Sequence, residues 1–402
     1  MKRLQAYKFE LMPNGEQTRA MGQYAGCCRV VYNKALAWQN KQYQADNTFK
    51  FSYTKITNLL PQWKTELTWL KDAPSQTLQQ SLKNLESSFR NFFAKRADFP
   101  KFKKKGVSDS FRFPQGFKIE QHHNRVFLPK LGWIRYRNSQ TMQGTPKNIT
   151  VSLKCGKWYA SIQTEREVEQ PQHPSNSMVG VDVGIARFAT LSTGQVFEAI
   201  NSFKQKQTRL ARYQRALSRK VKFSSNWKKQ KGKISKLHST IANIRKNYLH
   251  KTTTAISQNH AMIVIEDLQV SNMSKSAKGT IETKGRNVKA KSGLNRSILD
   301  QGWFEFRRQL EYKQAWAGGS VIEVNPRNTS RTCPCCGHIA KENRLTQAKF
   351  KCVECGYENN ADLVGAINIL AAGHAVLACG ETMQSGRSLK HEPAEGITPV
   401  MA

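Results

Sequence analysis

Negative charge is what this sequence has least of. Asp and Glu number 28 against 64 Lys and Arg, a formal net charge of +36 over 402 residues. Between positions 201 and 265 there is no acidic residue, while the same tract holds sixteen Lys and Arg. A solvated helical face ordinarily mixes both signs, so a single-sign tract of this length reads as a surface for phosphates. The overall excess repels itself and favours a polyanionic partner, nucleic acid ahead of an anionic membrane. No long apolar span or basic amphipathic anchor stands out, and the opening MKRLQAYKFELMPNGEQ lacks the apolar core of a signal peptide. The expectation is a soluble protein of the cytoplasm or nucleoid, with no membrane partner.

Cysteines are few and unevenly spread: of nine, five fall between positions 333 and 355. In an intracellular chain such clustering favours a metal over disulfides. Cys333-x2-Cys336, fifteen residues, then Cys352-x2-Cys355 is four-thiolate zinc-ribbon spacing and predicts a structural Zn²⁺. Gly337 and Gly356 follow the two pairs, where knuckle turns can use a residue without Cβ. Arg331, Lys341 and Lys351 soften the charge of four thiolates. A closed four-thiolate site has no open position for substrate, so this zinc holds a knuckle and is not the catalyst. Cys335 is a spare thiol and His338 a substitute ligand, neither improving on the regular spacing. Cys27 and Cys28 fall on a helical stripe and read as core.

The periodicities divide the chain. Tyr7, Phe9 and Leu11 alternate as in a strand; Met21, Tyr24, Cys28, Val31, Tyr32 and Ala35 recur at helical spacing. A further helix carries Leu78, Leu82, Leu85, Phe89 and Phe92, closing near Phe99-Pro100. Its aromatics read as core and not as platforms for nucleobases. Short alternating segments follow, including a hairpin turning at Cys155-Gly156-Lys157. QPQHPSNS reads as a linker. A second unit begins at Met178, with strands in MVGVDV, ARFATLS, QVFEA, AMIVIEDLQ and SVIEVNP. The basic tract is helix-compatible, with a break at KFSSN. The run over 271–293 reads as a mobile loop, ILDQGWFEFRRQLEYKQAWAGG as one helix, and ADLVGAINIL as a short apolar helix.

Where acids are scarce, those in apolar settings are informative. Asp182 sits among Val179, Val181 and Val183, Glu266 and Asp267 end the run AMIVI, and Asp362 begins the last helix. An unpaired buried carboxylate is costly, so each needs a partner. Ion pairing of Asp182 with Arg187, capping by Asp267 and a helix N-terminus for Asp362 are the plain readings. Their joint placement on strand, strand and helix suggests convergence on two divalent ions about 4 Å apart, clamping a phosphodiester. Mg²⁺ suits a few carboxylates plus waters and phosphate oxygens.

VGVDVGIARFATLS, IVIEDLQVSNM and TSRTCPCCG…FKCVECGYENNADLVGAINIL, in that order, resemble the RuvC-like nuclease of transposon-encoded TnpB proteins, relatives of type V CRISPR effectors. The resemblance spans essentially the whole chain. It implies an α/β multidomain protein. An RNase H-like (RuvC) nuclease domain over 178–330 and 357–380 would carry an inserted zinc ribbon, 331–356. An oligonucleotide-binding-like β-barrel wedge domain, 1–12 and 98–170, would precede it. A helical recognition insert would occupy 13–97 and a disordered tail 381–402. It further implies a catalytic triad of Asp182, Glu266 and Asp362 holding two Mg²⁺ ions. The function implied is an RNA-guided DNA endonuclease of a bacterial insertion sequence. The protein, monomeric in a ribonucleoprotein, would read a short motif beside the double-stranded target, and a guide RNA from the transposon end would read the rest. One departure is visible. The family's third motif often reads Asp-x-Asn-Ala-Ala-x-Asn, whereas here Val364 stands at the first Asn and Asn368 at the last.

Two alternatives stay open. A DDE-type transposase of the same fold would join ends without a guide. A zinc-ribbon nucleic-acid-binding protein with a degenerate site would not cut at all. The His-hydrophobic-His pair of single-strand tyrosine transposases is absent; His122-His123 lacks the spacer.

Overall fold

A computed structural model of the chain describes residues 1–280 and 282–378. The tail expected over 381–402 lies outside the described residues. Two compact units divide the chain: 1–170 with 210–239, and 171–209 with the remainder from 240.

In the first unit, strand β1 (Lys2–Met12) buries Tyr7, Phe9 and Leu11 on one face, as their alternation predicts. Asn14 then caps α1 (Gly15–Ala45). Its Oδ1 accepts from the Gln17 amide at 2.8 Å, and the Gln17 side chain accepts from the Asn14 amide at 3.1 Å. This reciprocal capping box satisfies two amides that the first turn would otherwise leave open. The α1 stripe is buried, Cys27 and Cys28 with it. Short α2 (Tyr53–Asn58) and α3 (Leu60–Glu66) lead to α4 (Ser75–Phe93), which buries Leu78, Leu82, Leu85 and Phe89. Helix α4 stops at Phe93, before the expected Phe99-Pro100, because Lys95 has turned left-handed at φ +55°.

Strands β2 (Ser110–Phe113), β3 (Lys118–Glu120), β4 (Arg125–Leu128), β5 (Gly132–Arg137), β6 (Thr145–Lys154) and β7 (Lys157–Glu167) join β1 in one antiparallel sheet, ordered β2-β6-β7-β1-β5-β4-β3. Its edges are β2 and β3, so the ladder is an open sheet where a barrel was expected. The β6–β7 hairpin turns on Cys155 and Gly156, both at positive φ as a two-residue turn requires. Sheet and helices share one apolar cluster.

The second unit is built on a mixed sheet ordered β10-β9-β8-β11-β12. Strands β8 (Met178–Val183), β9 (Arg187–Leu191) and β10 (Val196–Glu198) run antiparallel; β11 (Met262–Glu266) and β12 (Ser320–Val324) run parallel to β8. The basic tract forms α5 (Ser202–Ser218) and α6 (Ser225–Asn259), broken at KFSSN as expected. Residues 210–239 of these helices group with the first unit. There the Cys155 thiol lies 3.4 Å from the Ser235 carbonyl oxygen as donor, and buried Gln230 donates to the Tyr213 carbonyl at 3.0 Å.

After α7 (Val270–Met273), the segment read as one helix is two, α8 (Val288–Gln301) and α9 (Trp303–Ala317), divided at left-handed Gly302. A small hairpin, β13 (Lys349–Lys351) with β14 (Glu358–Asn360), precedes α10 (Ala361–Ala378). With a mean hydropathy of 1.6, α10 is long and apolar enough to cross a bilayer, which corrects the expectation of no such span. Here it is laid against the sheet. A Cβ at Gly180 of β8 would meet the Ala366 carbonyl oxygen at 2.2 Å, and one at Gly373 would meet Val264 of β11 at 2.5 Å.

Candidate active site and metal centre

Strand alternation decides which way the acids face. On β8, Val179 and Val181 enter one apolar cluster, while Gly180 lies under α10. Asp182, two residues on, must share the Gly180 face. On β11, Ile263 and Ile265 join the same cluster as Val179, whereas Val264 packs with Ile369 of α10, placing Glu266 on the α10 face too. The parallel register pairs Ile265 with Val181, so Asp182 and Glu266 each follow the last paired residue of neighbouring strands. Asp362 lies in the first turn of α10, whose amides at 362 and 363 are capped by the Asn360 side chain at 3.0 and 3.3 Å. Gly365, one turn on, brings the helix so close that a Cβ there would stand 3.1 Å from Asp182 Oδ2.

The three carboxylates feel one another. Burial, then the charges of Glu266 and Asp362, push Asp182 up from 3.8 to about 7, against the opposing pull of Arg344. Burial likewise raises Glu266, offset in part by a hydrogen bond from Thr329 and by Arg344. Thr329 Oγ1 donates to Glu266 Oε1 at 2.6 Å, and Arg344 Nη2 lies 3.7 Å from Asp362 Oδ1. One guanidinium facing three acids leaves negative charge in excess, and a hard divalent cation with oxygen ligands fits that donor set. The acids are more open than a closed cage: their oxygens do not all come within 4.8 Å of one another, as the four thiolates do. An opening of that kind suits ions that also take waters and phosphate oxygens.

The plain partners resolve differently from expectation. Asp182 answers to Arg344 and not to Arg187. Asp267 stands apart from the trio, its Oδ1 accepting from Arg307 at 3.0 Å, a guanidinium also shared with Glu311 and Glu323. Val364, the departure from the family's third motif, is fully buried with Cys333, Phe350, Cys352 and Ala361, so it ties α10 to the knuckle. Asn368 Nδ2 donates to the carbonyls of Thr329 and Thr332 at 2.7 Å each, fixing the segment that presents Thr329 to Glu266. Thr329 and Arg344 went unread in the sequence, because neither lies in a periodic element or beside an acid in the chain.

The four cysteines meet. Cys333 and Cys355 Sγ are 3.6 Å apart, as are Cys336 and Cys352, and all four lie within 4.8 Å. A tetrahedral ion with bonds of about 2.3 Å has ligand separations of about 3.8 Å, so the set fits zinc. Each pair closes on a left-handed glycine: Gly337 donates to the Cys333 carbonyl at 3.0 Å and Gly356 to the Cys352 carbonyl at 3.1 Å. Cys335 is exposed, and His338 is not among the clustered ligands. Asn343, fully buried, bridges the knuckle by donating to the Arg331 and His338 carbonyls.

Residues 161–277 match the family described as OrfB_IS605, "Probable transposase". Residues 303–369 match the "Cas12f1-like, TNB domain". A protein of Escherichia coli K12 named "Putative RNA-guided DNA endonuclease InsQ" is 65% identical over 399 residues, 99% of this chain and 99% of its own. The chain belongs to the TnpB family. A second relative, "Putative RNA-guided DNA endonuclease" of Streptomyces pristinaespiralis, is 33% identical over 96% of each chain. Among solved structures, the "Cryo-EM structure of the Cas12f1-sgRNA-target DNA complex" contains a chain 14% identical with a TM-score of 0.53, covering 89% of this chain and 83% of its own. That likeness is one of fold, and the TnpB-family chain is accordingly an α/β multidomain protein of RuvC-containing architecture. A "Helix-turn-helix domain" description matches residues 1–48, which here form strand β1 and the single long helix α1.

Proposed function

We propose that this chain is an RNA-guided DNA endonuclease of a bacterial insertion sequence, cutting double-stranded DNA beside a short motif that the protein itself reads. The observation that carries the reading is the set of three scarce acids gathered on the α10 face of the sheet, with Asp182 raised to about 7 by burial and its two companions. Asp182, Glu266 and Asp362 would hold two Mg²⁺ ions, which when bound supply a nucleophilic water and stabilise charge on the leaving oxygen. The chain's own part is positional. Thr329 fixes one oxygen of Glu266, the Asn360 cap fixes the turn that presents Asp362, and Gly365 lets α10 approach Asp182. Zn²⁺ on Cys333, Cys336, Cys352 and Cys355 would hold the knuckle that shares a core with the start of α10.

The remaining assignments belong to the same reading. A guide RNA from the transposon end would neutralise much of the +36 charge, and base pairing would select the target. Wedge (1–12 and 98–170), recognition insert (13–97), nuclease domain (178–330 and 357–380) and zinc ribbon (331–356) are the proposed divisions of labour. The protein would act as a monomer in its ribonucleoprotein, in the cytoplasm at the nucleoid.

The test is cleavage by the chain purified with its RNA. We expect Mg²⁺-dependent cutting of a matching duplex to vanish in Asp182→Ala while RNA binding is retained, because the change removes a metal ligand and no phosphate contact. Cutting retained by that variant would sink the site assignment. Strand-transfer products formed without RNA would favour a DDE-type transposase, and no cleavage by the unaltered chain would favour a binding protein.

A further inference from the structure

The break between α5 and α6 carries a feature that nuclease chemistry does not use. Eight described non-glycine residues have positive φ, and Phe223 at +70° is the one aromatic among them. A bulky side chain in this region is disfavoured by contact with its own backbone, and such strain persists where something else is gained. Burial is not the gain, because Phe223 is 65% exposed and neighbouring Val221 is 80% exposed. The strain has an identifiable consequence. Ser224 leaves the turn as the cap of α6, its Oγ accepting from the Trp227 amide at 3.2 Å, and this sets Trp227 in the first turn beside Phe223. The two rings sit 5.5 Å apart, centroid to centroid.

The surroundings state what the pair suits. Lys222 lies 5.4 Å from the Phe223 ring and Lys231 lies 5.2 Å from the Trp227 ring, with Lys228 and Lys229 between them in sequence. The first turn of α6 contains no acid, so its free amides add to a local positive field. The Phe223 ring is largely exposed and the Trp227 ring beside it half-buried, and an aromatic face set among lysines suits the stacking of single-stranded nucleic acid. Base edges are not demanded by such a site, which makes it tolerant of sequence.

We propose that Phe223 and Trp227, at the tip of the α5–α6 hairpin, form a stacking platform for an unpaired nucleobase whose flanking phosphates are held by Lys222 and Lys231. The platform rests on the nucleic-acid reading above and extends it to a named contact. RNA and DNA offer the same chemistry, an unpaired base between phosphates, and the test separates them.

The experiment uses Phe223→Gly and Phe223→Asn, both of which accept the left-handed backbone, in the full chain. Thermal melting and equilibrium binding are measured together. The probes are the copurified RNA, a mixed-sequence single-stranded DNA, and the DNA duplex of that sequence. Both variants should melt no lower than the unaltered chain, because the strain is relieved. Binding to one single-stranded probe should weaken by about 5- to 150-fold, the range for losing one base–aromatic stack. The duplex should be unaffected. The dependence of affinity on salt should keep its slope in the Phe223 variants and lose about one unit in Lys231→Gln, which removes a phosphate contact. Weakening on RNA assigns the platform to the guide, and weakening on single-stranded DNA assigns it to an opened target. Unchanged affinity for both, or equal weakening on the duplex, overturns the platform even if guide-dependent cleavage is intact. An unaltered chain that binds no nucleic acid overturns the platform and the functional reading together.

Discussion

At the scale of single residues, Asp182 is defined by what stands behind it. Its carboxyl rises from 3.8 to about 7 on folding. The folded chain therefore keeps a proton that the unfolded chain has released between those values. The stabilisation is present in full below about 4 and is lost as pH rises through about 7. Metal-stripped protein should accordingly lose at most about 4 kcal/mol of this contribution across that window, less in proportion to the water that reaches a half-buried carboxyl. Melting curves with chelator from pH 4 to 7.5 check this, and the slope should be flatter in Asp182→Asn. A divalent ion must displace the same proton, so Mg²⁺ affinity should climb with pH up to about 7. The acids themselves were legible in the sequence because scarcity made each one conspicuous in its apolar run. Thr329 and Arg344 were not, since a hydrogen bond to Glu266 and a charge beside Asp362 depend on folding and leave no periodic trace.

At the scale of elements, the site depends on how closely α10 can lie on β8. Gly180 makes that approach possible: a Cβ would intrude to 2.2 Å from one helix carbonyl oxygen and 2.7 Å from the Leu370 amide nitrogen, both backbone atoms that cannot swing aside. Gly180→Ala should cost about 1–3 kcal/mol of stability by overpacking and lower cleavage without touching an acid. Denaturant unfolding and a cleavage assay at the same temperature test the two halves of that statement. Unchanged cleavage would mean that the carboxylates tolerate a displaced helix. Strands and helical stripes read well from the sequence because alternation and helical spacing are local signals. The division of α8 from α9 did not, because Gly302 followed by an apolar stripe fits a continuous helix as readily as a break. The open edges of the first sheet are likewise set by pairing between distant segments, which alternation alone does not specify.

At the scale of the whole molecule, charge outweighs any single contact. An excess of +36 works against compactness and is relieved by screening or by a polyanion. RNA-free protein should therefore melt higher as salt is raised from 50 to 500 mM, over roughly the range in which the Debye length contracts below 10 Å. RNA held at a hundred times its dissociation constant should add about 2.7 kcal/mol at low salt, and less as salt weakens binding. Calorimetry with and without nuclease-treated RNA compares the two. A melting point indifferent to both would place the stability in the cores alone.

Helix α10 is the last described element, and it brings both Asp362 and the backbone surface against which β8 closes. During synthesis the basic tract over 201–265 leaves the ribosome well before Asp362 does. On the reading proposed above, a growing chain would carry its phosphate-binding tract before it carries the third acid.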